Sequence, residues 1–178
     1  TQETQFPYEE KTTLTVDKAG QYVMAVRRPS WCKNGYKVLV NGVEQDVAVV
    51  DGQYVSLNRS WQTGDKVEVQ FPMQMELLEC PNYPDYVAFR YGPVLLGAIT
   101  GTDNLVGQFA GEGRMDHAPS QGAQLSLTSA PMLIGEREDV LSYVYPVDKS
   151  KLQFKIRKEL YSSDRFADLV LQPFFTIH

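Results

Sequence analysis

Histidine and cysteine are scarce: the 178 residues hold two of each. Cys32 and Cys80 lack the short spacing of a zinc site and are too few for a disulfide framework, so they fit either one bridge or two buried thiols. They leave the compartment unread. No Cys-x-x-Cys, His-Glu-x-x-His or calcium-loop spacing occurs, and no metal is expected. Walker and dinucleotide loops are missing too, since Gly111-Glu112-Gly113 is too short to count, and no cofactor is expected.

Basic charge is also thin. The net charge is -5, and the densest basic stretch, Lys149 to Lys158, is strand-like with acids nearby. A nucleic-acid partner would call for a basic stripe, so none is expected. No run approaches the ~18 apolar residues of a membrane-spanning helix, which argues against a membrane partner. The start, Thr1-Gln2-Glu3-Thr4, is polar and shows no signal peptide, and the chain reads as a fragment of a longer protein.

What is present is an ordinary globular composition, 43% hydrophobic and 22% charged. Apolar and polar residues alternate along Lys66 to Phe71 and along Leu152 to Arg157, the period of half-buried antiparallel strands. Tyr22 to Val26 and Val94 to Ile99 are apolar on both faces and read as central strands. Asn41-Gly42 and Asp51-Gly52 suit two-residue hairpin turns, the second between Val47–Val50 and Tyr54–Leu57. Thr63-Gly64-Asp65 closes another turn. Helix signals are weak, the best being the short stretch Glu136 to Leu141. The expected fold is all-β: an antiparallel, jelly-roll-like β-sandwich over residues 1–100, a linker or long loop over 101–122, and a smaller β domain over 123–178 with strands at Met132–Ile134, Leu152–Ile156 and Leu169–Thr176.

Candidate chemistry is sparse. His117 follows Asp116, but no Gly-x-Ser-x-Gly elbow places Ser120 or Ser129 as a nucleophile, and a loop histidine is the simpler reading. Paired carboxylates could hydrolyse a glycoside if held across a cleft. Of the candidates, Glu9 and Glu10 would point to opposite faces of a strand, while Glu76 with Glu79 and Glu136 with Glu138 read as solvated surface. Asn58-Arg59-Ser60 fits a glycosylation sequon, a tripeptide common by chance. The aromatics are more suggestive, because sugar-binding modules stack glycans on exposed rings. Trp31, Tyr83 and Tyr86 are candidate stacking residues. Against this, Trp31 and Trp61 are better read as core plugs, which leaves Tyr83 and Tyr86, in a loop over Pro81 to Tyr86, as the exposed pair.

Several phrases resemble the β-sandwich region that follows the catalytic barrel in glycoside hydrolase family 127, the β-L-arabinofuranosidase-like family. They are Phe6-Pro7-Tyr8-Glu9, the Arg-x-Pro-x-Trp pattern of Arg27 to Trp31, Val40-Asn41-Gly42, the Arg-x-Trp-x-x-Gly-Asp pattern of Arg59 to Asp65, and Arg90-Tyr91-Gly92-Pro93. Gly113 to His117, Ala130 to Leu133 and Pro173 to His178 are similar to a small β domain appended in many members. There the chain continues past the equivalent of His178, so this domain is expected to be incomplete. The resemblance implies a parent that hydrolyses arabinofuranosides with a cysteine nucleophile, a glutamate acid/base and a zinc held by Cys and Glu, all in a helical barrel. Cys32 and Cys80 match none of those motifs, so no catalytic residue is carried over. The expected role is a non-catalytic module whose partner is the upstream helical catalytic domain of the same polypeptide. The alternative is a carbohydrate-binding module that takes polysaccharide as its partner. A polysaccharide substrate would imply a secreted or periplasmic home.

Overall fold

The structure, a computed structural model, describes residues 1–48, 52–100 and 130–177. It comprises two compact units, Thr1–Leu96 with Lys149–Leu152 and Gly97–Asp148 with Gln153–His178.

In the first unit, β1 (Gln2–Thr4), β2 (Lys11–Thr15), β4 (Lys37–Val40), β5 (Val43–Glu44) and β7 (Lys66–Gln70) form an antiparallel sheet in the order β1-β2-β7-β4-β5. A second, two-stranded sheet pairs β3 (Gly20–Arg27) with β6 (Tyr54–Trp61), from Gly20↔Trp61 to Arg27↔Tyr54. The sheets share one core. Val38, Val40, Val67 and Val69 come from the first; Val26, Val55, Leu57 and Trp61 come from the second. Burying each such aliphatic side chain contributes roughly 1.5–3 kcal/mol, and the alternation of β7 is what aims Val67 and Val69 inward. The chain is therefore all-β and antiparallel, as its periodicity indicates. A hairpin follows, β8 (Met75–Cys80) with β9 (Tyr83–Tyr91), and β10 (Val94–Ala98) then pairs with β9.

Turn chemistry explains the connections. Asn41 (φ 51°) and Gly42 (φ 81°) both take positive φ, so Val40 faces Val43 across a two-residue turn of the kind that matches strand twist. Gly92 has φ 55°, and a Cβ placed on it would lie 2.5 Å from Met73 Cγ. Only glycine fits this bend between β9 and β10.

In the second unit, β11 (Val144–Asp148), β12 (Gln153–Ile156) and β13 (Leu171–Pro173) pair antiparallel. Short 3₁₀ turns carry much of the remaining described chain, among them Arg137–Tyr143 and Asp164–Phe166. Val140, Phe154, Ile156, Leu160, Tyr161, Phe166 and Leu171 are buried.

Several expectations need correction. The two apolar stretches are not buried on both faces: Val23 is 54% exposed and Leu95 43%. Among the described residues β3 pairs only with β6, and Gln21, Val23, Ala25 and Arg27 on its outer face are exposed. Tyr54–Leu57 belongs to β6 and pairs with β3, and Val47 and Ala48 lie outside any strand; residues 49–51, on which the expected Asp51-Gly52 hairpin rests, are outside the described residues. The helix signal at Glu136 to Leu141 becomes a 3₁₀ turn. Met132–Ile134 is reduced to one isolated bridge, Leu133↔Tyr161, and Leu169–Thr176 to the three residues of β13. Pro146 sits inside β11, a position where proline usually argues against a strand. The linker over 101–122 lies outside the described residues.

Candidate functional site

Two of the candidate carboxylates have partners within the fold. Glu10 accepts a hydrogen bond from the Tyr91 hydroxyl at 2.8 Å. Burial, and then this carboxylate, push the Tyr91 hydroxyl up to about 12. Glu76 pairs with Arg90 across β8 and β9. Glu9, Glu79, Glu136 and Glu138 are exposed. Cys32 is buried, Cys80 is exposed, and no disulfide joins them. Among the described residues no three His, Cys, Asp or Glu side chains gather as metal ligands, and no helix is long and apolar enough to cross a membrane. Asp116, His117, Ser120, Ser129 and His178 lie outside the described residues, as does Gly111-Glu112-Gly113.

The aromatics divide. Trp61 is fully buried, its indole N–H donates to the Tyr22 carbonyl at 3.1 Å, and the Arg59 guanidinium lies 5.2 Å from its ring centroid. It is a core plug. Trp31 is partly buried, stacked on Phe6 at 6.0 Å and edge-on to Phe71 at 6.0 Å. Tyr83 and Tyr86 are 64% and 54% exposed, with ring centroids 6.0 Å apart and planes at 82°. They sit on β9 and not in a loop. Only Pro81 and Asn82 turn the hairpin, with Asn82 at φ 68°, the positive value a type II turn needs at its third residue. Pairing runs Cys80↔Tyr83 and Glu79↔Val87, so Pro84, Asp85 and Tyr86 bulge out of β9.

A second exposed surface lies on β3 and β6. On the outer side of β3 and β6, Gln21, Val23, Ala25 and Arg27 alternate out, opposite Ser60, Asn58, Ser56 and Tyr54. Gln21 bridges Asn58 and Ser60 at 3.1 and 2.6 Å, which makes a polar end. Toward the other end Val23 and Ala25 accompany the 65% exposed Tyr54, with Arg27 opposite Tyr54. The two-faced apolar pattern of Tyr22 to Val26 was the signal for it.

Comparison with known proteins defines the class. Residues 1–73 match the family model described as β-L-arabinofuranosidase, GH127 middle domain. This part of the chain is a GH127-related β region, and the chain is related to glycoside hydrolases. Residues 76–178 match the DUF4986 family, described as a domain of unknown function. The chain belongs to the DUF4986 family through this match, which takes in most of its length. Among solved structures, a protein described as a glycoside hydrolase is 30% identical over 53% of this chain and 17% of its own, with a TM-score of 0.49. A GH127 β-L-arabinofuranosidase from Geobacillus stearothermophilus T6, Ara127N-Se, is 32% identical over 53% of this chain and 16% of its own, TM-score 0.48. The GH127 β-arabinofuranosidase BT3674 is 28% identical over 53% and 18%, TM-score 0.48. The matched part thus spans less than a fifth of each of those proteins. No curated protein matches the chain.

Proposed function

We propose that this chain is a non-catalytic β region of a glycoside hydrolase of the β-L-arabinofuranosidase kind, packing on a helical catalytic barrel elsewhere in the same polypeptide. The observation that carries the reading is the open face of β3 and β6. Val23 and Tyr54 are 54% and 65% exposed there, on a strand pair whose other face closes the core. Val23, Ala25 and Tyr54 on this face favour association at roughly 25 cal/mol per Å² of apolar surface removed from water, and Arg27, Ser56 and Asn58 beside them call for polar partners. The match of residues 1–73 to a middle domain supports the same arrangement.

The test is Val23→Asp, made both in the 178-residue chain and in a longer polypeptide that includes the region before Thr1. In the short chain the substituted side chain meets water, and stability changes by no more than about 0.5 kcal/mol. In the longer protein it enters a covered face, and both the melting temperature and hydrolysis of an aryl β-L-arabinofuranoside fall. Equal effects in both proteins, or hydrolysis by the short chain alone, would overturn the reading.

A further inference from the structure

The hairpin tip of β8 and β9 carries a feature that folding does not require. Two large rings stand in water, Tyr83 at 64% and Tyr86 at 54% exposure. A regular hairpin would pair every residue after the Pro81-Asn82 turn. Here the register steps from Cys80↔Tyr83 to Glu79↔Val87 through an irregularity, and the Tyr86 ring centroid lies 6.0 Å from that of Tyr83. Bulges of this kind re-aim side chains. With planes at 82° the rings stand edge to face, and both remain more than half exposed. Asn82 and Asp85, both exposed, flank the rings and add amide and carboxylate groups that can bond hydroxyls.

The chemistry selects the ligand. An apolar aromatic face beside hydroxyl-bonding groups suits a sugar ring, with C–H groups on one side and hydroxyls at its rim. No lysine or arginine occurs between Lys66 and Arg90, whereas Glu79 and Asp85 are both at the tip. An acidic glycan would be repelled. A bare cation would need a closed aromatic cage, which two half-exposed rings do not make. We propose that Tyr83 and Tyr86 form a binding platform for a neutral oligosaccharide. The platform does not depend on the catalytic partner argued above, since it lies wholly within the β8–β9 hairpin.

Native electrophoresis of the 178-residue chain in gels containing linear arabinan, arabinogalactan or xylan tests the platform, with polygalacturonate as the acidic control. Retardation by at least one neutral polysaccharide and none by polygalacturonate is expected. The double variant Tyr83→Ala/Tyr86→Ala should bind about ten-fold more weakly or not at all, with an unchanged circular dichroism spectrum. The milder single variant Tyr86→Ser gives the same reading if the double variant fails to fold. No retardation by any of the three neutral polysaccharides overturns the proposal. So does retardation that survives the substitutions, or binding of tetramethylammonium in place of glycan.

Discussion

Asn41 Nδ2 donates to Asp65 Oδ1 at 2.9 Å, and this bond joins two turns that are 24 residues apart in sequence. Asn41 Oδ1 in turn accepts from the Lys66 backbone N–H at 2.8 Å, and Asp65 Oδ2 accepts from the Gln62 N–H at 2.8 Å. The turn between β4 and β5 is thereby fastened to the corner where the chain leaves β6 for β7. Two sequence patterns, Val-Asn-Gly and Trp-x-x-Gly-Asp, are thus the two halves of one structural clasp.

The clasp makes stability depend on acid pH. The Gln62 N–H, and then the Asn41 amide, hold the Asp65 carboxyl below its ordinary value. A carboxyl depressed in the fold contributes stability that is fully present above its unfolded value, near 4 on the usual scale. That contribution is lost as pH falls through the lower folded value. Asp65→Ala should lower the melting temperature at neutral pH by a few degrees and flatten the acid limb of the stability curve. A thermal melt series from pH 2 to pH 7 reads both effects, and parallel acid limbs for the variant and the parent would refute the link.

Gly92 and Met73 are similarly matched. A methyl on Gly92 would lie 2.5 Å from Met73 Cγ and 2.6 Å from its sulfur, and the φ of 55° disfavours any side chain. Gly92→Ala is expected to cost about 1–3 kcal/mol through overpacking. Met73→Ala alone also destabilises, because Met73 is buried, but the double variant should be less unstable than the sum of the two singles. Urea unfolding of the four proteins measures this coupling, and strict additivity would show that the contact is relieved at no cost.

Thiol reactivity checks the first unit's packing without mutation. Cys32 is fully buried in the valine-rich core, with its Sγ toward the Asn34 carbonyl at 3.7 Å, while Cys80 is exposed at the end of β8. A disulfide reagent such as Ellman's should modify Cys80 quickly in the folded protein and Cys32 only after denaturant is added. Rapid reaction of both thiols would mean that the core around Cys32 opens readily.

Much of this fold was legible, and the failures have local causes. Val67, Val69, Phe154 and Ile156 were read as inward-facing from period-2 alternation, because a strand must bury one face and wet the other. Alternation does not reveal how many neighbours a strand has. Tyr22 to Val26 reads as a central strand in sequence, whereas among the described residues β3 pairs only with β6. Pro146 lies within β11 and Pro84 within β9, and a proline argues against a strand in sequence. The exposed pair Tyr83 and Tyr86 was found all the same, because turn residues around a tyrosine disfavour burial.

Tyr91 and Tyr36 offer the last check, at alkaline pH. Burial chiefly, and the Glu10 carboxylate second, raise Tyr91 to about 12; burial raises Tyr36 to about 12 as well, without Glu10. A tyrosine raised in the fold contributes stability that is present below its unfolded value, near 10, and lost as pH rises through the folded value. Glu10→Ala should therefore lower Tyr91 only part of the way toward 10, leave Tyr36 in place, and weaken the hold of the loop between β1 and β2 on β9. A spectrophotometric tyrosinate titration resolves the late-titrating groups, and a Tyr91 that moves fully to 10 would make the carboxylate, and not burial, the main cause.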